Sequence, residues 1–192
     1  MCRDCGALQE APSSGQTPLR QTLRPNLKHL TTLCSLNGSA AGYGLDLAFG
    51  CDIRLASSSA KLAPGFAKRG ILPESGGTWL LPRLVGYAKA AEICFTGRTL
   101  SAAEGLELGL VNHVVAPEDL WSRTTELAQE IASNAPLAVR AIKRMMRAAE
   151  TETFEQNIHH VFLQLLPLIQ TQDFKEGVAS FMEKRPANFT GR

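Results

Sequence analysis

A glycine-rich turn between an apolar run and an apolar helical stretch constrains this chain more than any other feature. The run at residues 30–36 ends at Asn37 and Gly38, and small residues then lead through Gly42 and Gly44 into the helical stretch. Glycine allows conformations and close approaches that a side chain forbids. The first N–H groups of a helix have no acceptor within the helix, and the helix dipole places its positive end there. The pattern predicts a strand, a turn and a helix start that can hold developing negative charge.

Three parts follow one another along the chain. Residues 1–20 are rich in Ser, Gly, Gln and Pro, which predicts an irregular or disordered segment. Residues 21–115 alternate short apolar runs with helical stretches, which predicts an α/β core with the site at the ends of its strands. Residues 116–192 carry successive amphipathic patterns, which predict a helical region.

Individual elements can be placed from the same patterns. Strands are expected at residues 32–36 and 52–56, with a short extended piece at 61–63. Helices are expected near residues 19–30, at 42–50, from 76, from 88, at 117–134, 136–149 and 154–166, and from about 173.

Charge and hydropathy exclude several kinds of partner. The chain has 20 basic and 18 acidic residues and a net charge of +2, so it lacks the basic surplus of a nucleic-acid-binding protein. No stretch approaches the roughly 20 apolar residues of a membrane helix, and the first residues lack the apolar segment of a secretory signal. We therefore expect a cytoplasmic protein, or one sent to an organelle by a signal that these patterns do not reveal, without nucleic-acid or membrane partners.

The five cysteines do not form a disulfide pattern. Cys2 and Cys5 make one C-x-x-C, but no second pair completes a tetrahedral zinc site. Cys34, Cys51 and Cys94 lie in apolar runs and are expected to be core residues. The sequence predicts no metal site.

Six motifs occur in one order along the chain. They are the N-G-x-x-x-G-x-G at residues 37–44, C-D-I-R at 51–54, P-E-x-G-G-T at 73–78, G-R at 97–98 with A-A-E at 102–104, G-L-V at 109–111 and F-M-E-K-R at 181–185. This order resembles the enoyl-CoA hydratase/isomerase family, the crotonase superfamily, over residues 24–192. One G-x-G would be weak evidence, whereas six spaced motifs are hard to produce by chance.

The resemblance implies a fold and an assembly. The fold is the ClpP/crotonase spiral β/α core with a C-terminal helical trimerisation region, and the assembly is a homotrimer or homohexamer. Family members carry earlier strands and an A-G-x-D-like turn that supplies the first oxyanion donor, and residues 1–36 contain no match to it. The chain is therefore expected to be an N-terminally truncated member.

The resemblance also implies a substrate and a site. The substrate is an acyl-CoA thioester, with coenzyme A as part of the substrate and no resident cofactor. The main-chain N–H of Tyr43 matches the family's second oxyanion donor, and Glu74 matches the single base of the isomerases. Asp46 matches the first catalytic glutamate of the hydratases, whereas the second falls at Phe66. Further substrate contacts are expected from Gly42, Gly44, Phe66, Lys68, Arg69, Gly76, Gly77 and Lys184.

Each of these roles has a structural alternative. The glycines can simply permit a tight turn, and Glu74 can cap the helix that follows it. Asp46 can satisfy local N–H groups instead of taking part in catalysis. Lys184, together with Lys175 and Arg185, can be a solvated helix end instead of a phosphate contact.

Three functions are compatible with the sequence. The first is an acyl-CoA enzyme that shifts a double bond or adds water, in fatty or aromatic acyl-CoA metabolism. The second is a catalytically inactive truncated paralogue that acts through oligomerisation. The third, an RNA-binding side function, is disfavoured by the near-balanced charge.

Overall fold

The computed structural model describes residues 30–192. The segment predicted to be irregular at residues 1–20, and all but the last position of the helix predicted near 19–30, lie outside the described residues. Two compact units divide the described part: residues 32–125 form the first, and residues 30–31 with 126–192 form the second.

The first unit winds between short strands and helices. In chain order it contains β1 (Leu33–Leu36), β2 (Ala40–Ala41), α1 (Tyr43–Gly50), β3 (Ile53–Ser57), β4 (Lys61–Ala63), a 3₁₀ turn (Ala67–Arg69), α2 (Gly77–Val85), α3 (Tyr87–Thr96), β5 (Leu100–Ser101), α4 (Ala102–Glu107), β6 (His113–Val115), a 3₁₀ turn (Pro117–Asp119) and the start of α5 (Leu120–Ala132). This order of elements is the α/β winding that the sequence predicts.

Two small sheets organise these elements. The first has the order β1-β3-β6 and is parallel throughout, with Leu33 opposite Ile53 and Leu55 opposite His113. The second has the order β2-β4-β5, in which β2 and β4 are parallel and β4 and β5 antiparallel. Parallel neighbours need crossover connections, and α1 supplies the one between β1 and β3.

Apolar side chains from both sheets and from the helices form the core of this unit. The fully buried ones include Leu45, Leu55, Leu62, Ile93, Leu100 and Leu110. Arg54 of the C-D-I-R motif is also buried, and its Nε donates to the carbonyl oxygen of Leu110 at 2.7 Å. The motif therefore supplies a structural tie between β3 and the segment before β6.

The second unit is helical. It contains the end of α5, then α6 (Pro136–Ala148), α7 (Phe154–Leu168) and α8 (Gln172–Glu183). A capping box starts α7, in which Thr153 accepts from the Gln156 N–H and the Gln156 side chain accepts from the Thr153 N–H. The chain after α8 is tied to Asp173, which accepts from the N–H groups of Thr190 and Gly191. No helix within residues 30–192 is long and apolar enough to cross a membrane.

Most elements predicted in the described residues are confirmed with small shifts of their ends. The strands predicted at 32–36 and 52–56 occupy 33–36 and 53–57, and the extended piece at 61–63 is β4. Four elements were not predicted from the sequence: β2, β5, α4 and β6. The two-residue strands β2 and β5 are too short to show an alternating pattern, and the six-residue α4 is too short to show a helical period.

Candidate active site

The helix start predicted from the glycine-rich turn is present at α1. Gly42 is the N-cap residue with a φ of +51°, a conformation that favours glycine, and its N–H donates to the Ala63 carbonyl oxygen at 3.1 Å. Tyr43 is the first residue of the helix, and its side chain is partly exposed. A Cβ added at Gly44 would meet no atom within 4 Å, so this residue faces open space. The start of α1 therefore lies where the sequence predicts a helix start.

Phe66 lies beside this helix start. Its ring is 3.9 Å from the position that a Cβ on Gly42 would take, and the residue is only 5% exposed. A buried ring cannot activate water or deliver a proton. The position at which the resemblance places the second hydratase glutamate is thus an apolar wall against the N-cap of α1.

Glu74 lies in the turn that leads into α2. The turn ends at Gly76, which is the N-cap residue, has a φ of +102° and offers no side chain to the helix N–H groups. Glu74 itself is exposed. Its carboxylate therefore stands in solvent on a turn whose backbone geometry depends on glycine.

Asp46 is the buried carboxylate of the site. It is 2% exposed, and its Oδ2 accepts hydrogen bonds from the N–H groups of Ser75 at 3.3 Å and Gly77 at 3.2 Å. Burial raises the pKa of this carboxyl above its usual value, the two N–H groups oppose the rise, and the nearby charge of Glu74 adds to it. The structure thus brings Asp46 and the Glu74 turn together.

Gly77 makes this approach possible. A Cβ at this position would lie 2.8 Å from Cγ of Asp46 and 2.8 Å from Cβ of Pro73, both closer than such atoms can pack. The second glycine of the P-E-x-G-G-T motif therefore leaves room for the Asp46 carboxylate.

Two features near Asp46 were not predicted from the sequence. The Ser75 hydroxyl oxygen is fully buried and has no hydrogen-bond partner among residues 30–192. Burial, followed by the charge of Asp46, raises the pKa of the Cys94 thiol, which places α3 near the carboxylate. Neither feature has a local sequence signature, since each depends on packing between distant segments.

The cationic candidates fall in different places. Lys68 and Arg69 follow Phe66 in the 3₁₀ turn, and Arg69 Nη1 donates to the carbonyl oxygen of Gly65 at 2.9 Å. Both side chains are exposed. Lys184 belongs to the second unit, where it ends α8 in a left-handed conformation with a φ of +54°.

A separate apolar cavity of about 460 Å³ lies within the second unit. Its lining includes Leu168, Phe174, Phe181 and Phe189, and none of the predicted site residues. Within the described part of the chain, no group of three or more His, Cys, Asp or Glu side chains is arranged to hold a metal ion.

Comparisons with known proteins agree on one family. A family model described as enoyl-CoA hydratase/isomerase matches residues 4–192, which extends further toward the N-terminus than the motifs do. Enoyl-CoA hydratase domain-containing protein 2, mitochondrial, of Mus musculus is 43% identical over 176 residues, covering 84% of this chain and 56% of that protein. The 1,2-epoxyphenylacetyl-CoA isomerase of Escherichia coli (strain K12) is 38% identical over 162 residues, covering 83% of this chain and 61% of that protein.

Solved structures give the same result. A crystal structure of enoyl-CoA hydratase from Bacillus anthracis superposes with a TM-score of 0.82 at 37% identity, covering 83% of this chain and 62% of that one. The chain thus spans about six-tenths of the length of the relatives it matches.

Proposed function

Because this chain belongs to the enoyl-CoA hydratase/isomerase family, we propose that it binds acyl-CoA thioesters and moves a carbon–carbon double bond, with Glu74 as its single base. The predicted family and the crotonase-like α/β fold are confirmed by the family model and the solved structures. Relatives with hydratase and isomerase names both occur, so the reaction must be argued from the site.

One observation carries the choice of isomerisation. Of the three positions that the resemblance assigns to acids, only Glu74 presents an exposed carboxylate. Asp46 is buried with one oxygen accepting two N–H groups, and the third position holds the apolar Phe66. Hydration needs one group to activate water and another to deliver a proton, whereas a double-bond shift needs one base that returns its proton elsewhere.

The proposed reaction follows from thioester chemistry. The Glu74 carboxylate takes a proton from C2 of a 3-enoyl thioester, and the electron pair left behind moves toward the thioester oxygen. The N–H of Tyr43 at the start of α1 stabilises the negative charge that develops on that oxygen. The protonated Glu74 then delivers the same proton to C4, and the double bond lies between C2 and C3.

The remaining candidates are proposed to bind substrate. Gly42, Gly44, Gly76 and Gly77 let substrate approach the main chain. Phe66 lines the acyl region, and Lys68 and Arg69 contact the phosphates of coenzyme A, while a phosphate contact by Lys184 stays a prediction. No resident cofactor is proposed, and location in the cytoplasm stays a prediction.

A second proposal, assembly without catalysis, is favoured by α7. This helix has no buried residue, and Phe154 and Phe162 are 75% and 58% exposed. Exposed apolar surface of this kind marks an interaction face. A homotrimer or homohexamer would cover it, and light scattering coupled to gel filtration measures that state directly.

Glu74→Gln tests the proposed base, because the amide keeps the shape of the side chain but cannot accept the proton. We expect turnover of paired 3-enoyl-CoA and 2-enoyl-CoA substrates to fall by about 100-fold or more. Binding of a saturated acyl-CoA should stay within a few-fold of the unsubstituted protein. Glu107→Gln is the matched control, since Glu107 is an exposed carboxylate outside the site.

Retained turnover in Glu74→Gln would reject Glu74 as the base. Absence of turnover in the unsubstituted chain, together with a defined oligomer, would favour the assembly proposal. Addition of water to a 2-enoyl-CoA by the unsubstituted chain would identify a hydratase and contradict the single-base reaction.

A further inference from the structure

We infer that Asp46 is a positioning residue, which fixes the backbone of the Glu74 turn by accepting the N–H groups of Ser75 and Gly77. This inference rests on the proposed role of Glu74 as the base. It replaces a direct catalytic role for Asp46 with an indirect one. We call this arrangement the Asp46 clamp.

The first hydrogen bond acts next to Glu74. The Ser75 N–H belongs to the peptide group that directly follows Glu74, so holding it restricts rotation about the bond between Cα and the carbonyl carbon of Glu74. The direction of the Glu74 side chain depends on that rotation. The clamp therefore limits where an otherwise exposed carboxylate can point.

The second hydrogen bond satisfies one of the N–H groups at the start of α2. Gly77 is the first residue of α2, and its N–H group has no acceptor within the helix. Asp46, which lies in α1, accepts this N–H group through its carboxylate. A negative charge at a helix N-terminus is also favoured by the helix dipole.

Asp46 links this turn to the start of α1. The Asp46 N–H donates to the Gly42 carbonyl oxygen at 3.2 Å, so Asp46 lies one helical turn after the N-cap that precedes Tyr43. One short piece of helix thus carries both the proposed oxyanion donor and the group that holds the proposed base. Catalysis by proton transfer depends on such fixed spacing between groups.

Three observations argue against Asp46 as a base. The residue is 2% exposed, and its Oδ2 already accepts two hydrogen bonds. Gly77 is required for the carboxylate to reach its place, since a Cβ there would lie 2.8 Å from Asp46 Cγ. The residues around Asp46 therefore leave room for its carboxylate to accept backbone N–H groups.

Asp46→Asn and Asp46→Ala separate positioning from catalysis. Asparagine keeps an oxygen that can accept both N–H groups, so kcat should fall by less than about tenfold with KM unchanged. Alanine removes the acceptor, and a base displaced by even 1 Å should cost about 100-fold in kcat. The control is Asp173→Asn in the second unit, which disturbs another buried carboxylate that accepts two N–H groups, one at each oxygen, and should leave turnover unchanged.

Amide hydrogen exchange gives a readout that needs no turnover. The Ser75 and Gly77 amides should be protected in the unsubstituted protein and in Asp46→Asn, and should exchange faster in Asp46→Ala. If Asp46→Asn keeps both amides protected but is as inactive as Glu74→Gln, Asp46 is a catalytic residue and the inference is overturned. Fast exchange of both amides in the unsubstituted protein would overturn it as well.

These results also separate the inference from the proposed function. Retained turnover in Glu74→Gln rejects the base, while protection of the Ser75 and Gly77 amides still decides whether the clamp exists. If Asp46→Ala fails to fold, Gly77→Ala offers a second route, because its Cβ displaces the carboxylate and should release the same turn.

Discussion

Two buried aspartates, one in each unit, hold backbone in different ways. Asp173 accepts from Thr190 and Gly191 with one bond to each oxygen, at 2.7 and 2.8 Å. Asp46 accepts from Ser75 and Gly77 with a single oxygen, at 3.3 and 3.2 Å. Short bonds to separate oxygens are the stronger arrangement. We call the contacts of Asp173 the Asp173 clamp. This clamp holds the C-terminal tail with the stronger hydrogen bonds, whereas the Asp46 clamp holds the turn of the exposed Glu74 with weaker ones.

The segment held by Asp173 also has more additional contacts than the turn held by Asp46. The tail held by Asp173 has further ties, since the Asn188 N–H donates to Glu176 and the Phe189 ring packs on Gly177. The turn held by Asp46 has Gly76 as its N-cap and an unpartnered Ser75 hydroxyl among the described residues. From this comparison we expect the Asp173 clamp to contribute more to the free energy of unfolding, and the Asp46 clamp mainly to fix the position of the Glu74 turn.

The largest expected effect is on stability, from Asp173→Ala. Removing the acceptor leaves two N–H groups without their charged partner, and each such bond contributes about 1.5–3 kcal/mol. We expect the free energy of unfolding, measured by urea denaturation, to fall by about 3 kcal/mol. A loss smaller than that of Asp46→Ala would contradict the ranking of the two clamps.

Gly77→Ala should come next. Its Cβ would lie 2.8 Å from both Asp46 Cγ and Pro73 Cβ, and overpacking of this kind costs about 1–3 kcal/mol. The control is Gly50→Ala at the end of α1, where an added Cβ meets nothing within 4 Å. Thermal unfolding of the two variants gives the comparison, and equal stability would show that the Asp46 carboxylate can move aside without cost.

Motifs in the sequence locate the exposed residues of the candidate site more readily than the contacts of the buried ones. Tyr43 and Glu74 are singled out by motifs, and the structure places Tyr43 at the first position of α1 and Glu74 in the turn before α2. The role of Asp46 stayed open because its partners lie 29 and 31 residues further along the chain. A carboxylate gives the same local pattern whether it faces solvent or the backbone of another turn.

The Asp173 clamp could not be predicted from the sequence for the same reason. Asp173 is the second residue of α8, a position at which an acidic residue is common without any tertiary partner. Its contacts with Thr190 and Gly191 depend on how the tail folds back. By contrast, the capping box of Ser101 and Glu104 at the start of α4 has the spacing of an S-x-x-E pattern and could have been predicted.

The pH dependence of stability should distinguish the Asp46 clamp from ordinary surface carboxylates. Burial raises the pKa of Asp46 in the folded protein above its value near 3.8 in the unfolded chain. The stability that the protonated Asp46 carboxyl contributes is therefore full below pH 3.8, and it is lost as the pH rises through the pKa of the folded protein. The difference in free energy of unfolding between the unsubstituted protein and Asp46→Asn should therefore fall as pH rises from 3.8 toward neutrality.

Glu104→Gln provides a control of opposite sign. The Ser101 N–H, followed by Arg98, lowers the pKa of Glu104 to about 2. The stability that Glu104 contributes is present above its ordinary value near 4.5 and is lost as pH falls toward about 2. For each variant, urea denaturation gives the difference in free energy of unfolding from the unsubstituted protein as a function of pH. If this difference falls with rising pH for Glu104→Gln as well as for Asp46→Asn, or rises for both, the raised pKa of Asp46 is contradicted.

The smallest expected effect is a change in thiol reactivity that reports the charge of Asp46. Burial first, and then Asp46, raises the pKa of Cys94. Asp46→Asn removes that charge, so the pKa of Cys94 should fall part of the way toward its ordinary value, measured as the pH dependence of alkylation by mass spectrometry. Cys51 is the internal reference, since contact with Cys34, which outweighs burial, lowers its pKa to about 7. If both thiols shift together, the substitution has disturbed the fold; if Cys94 alone shifts, Asp46 is ionised beside α3.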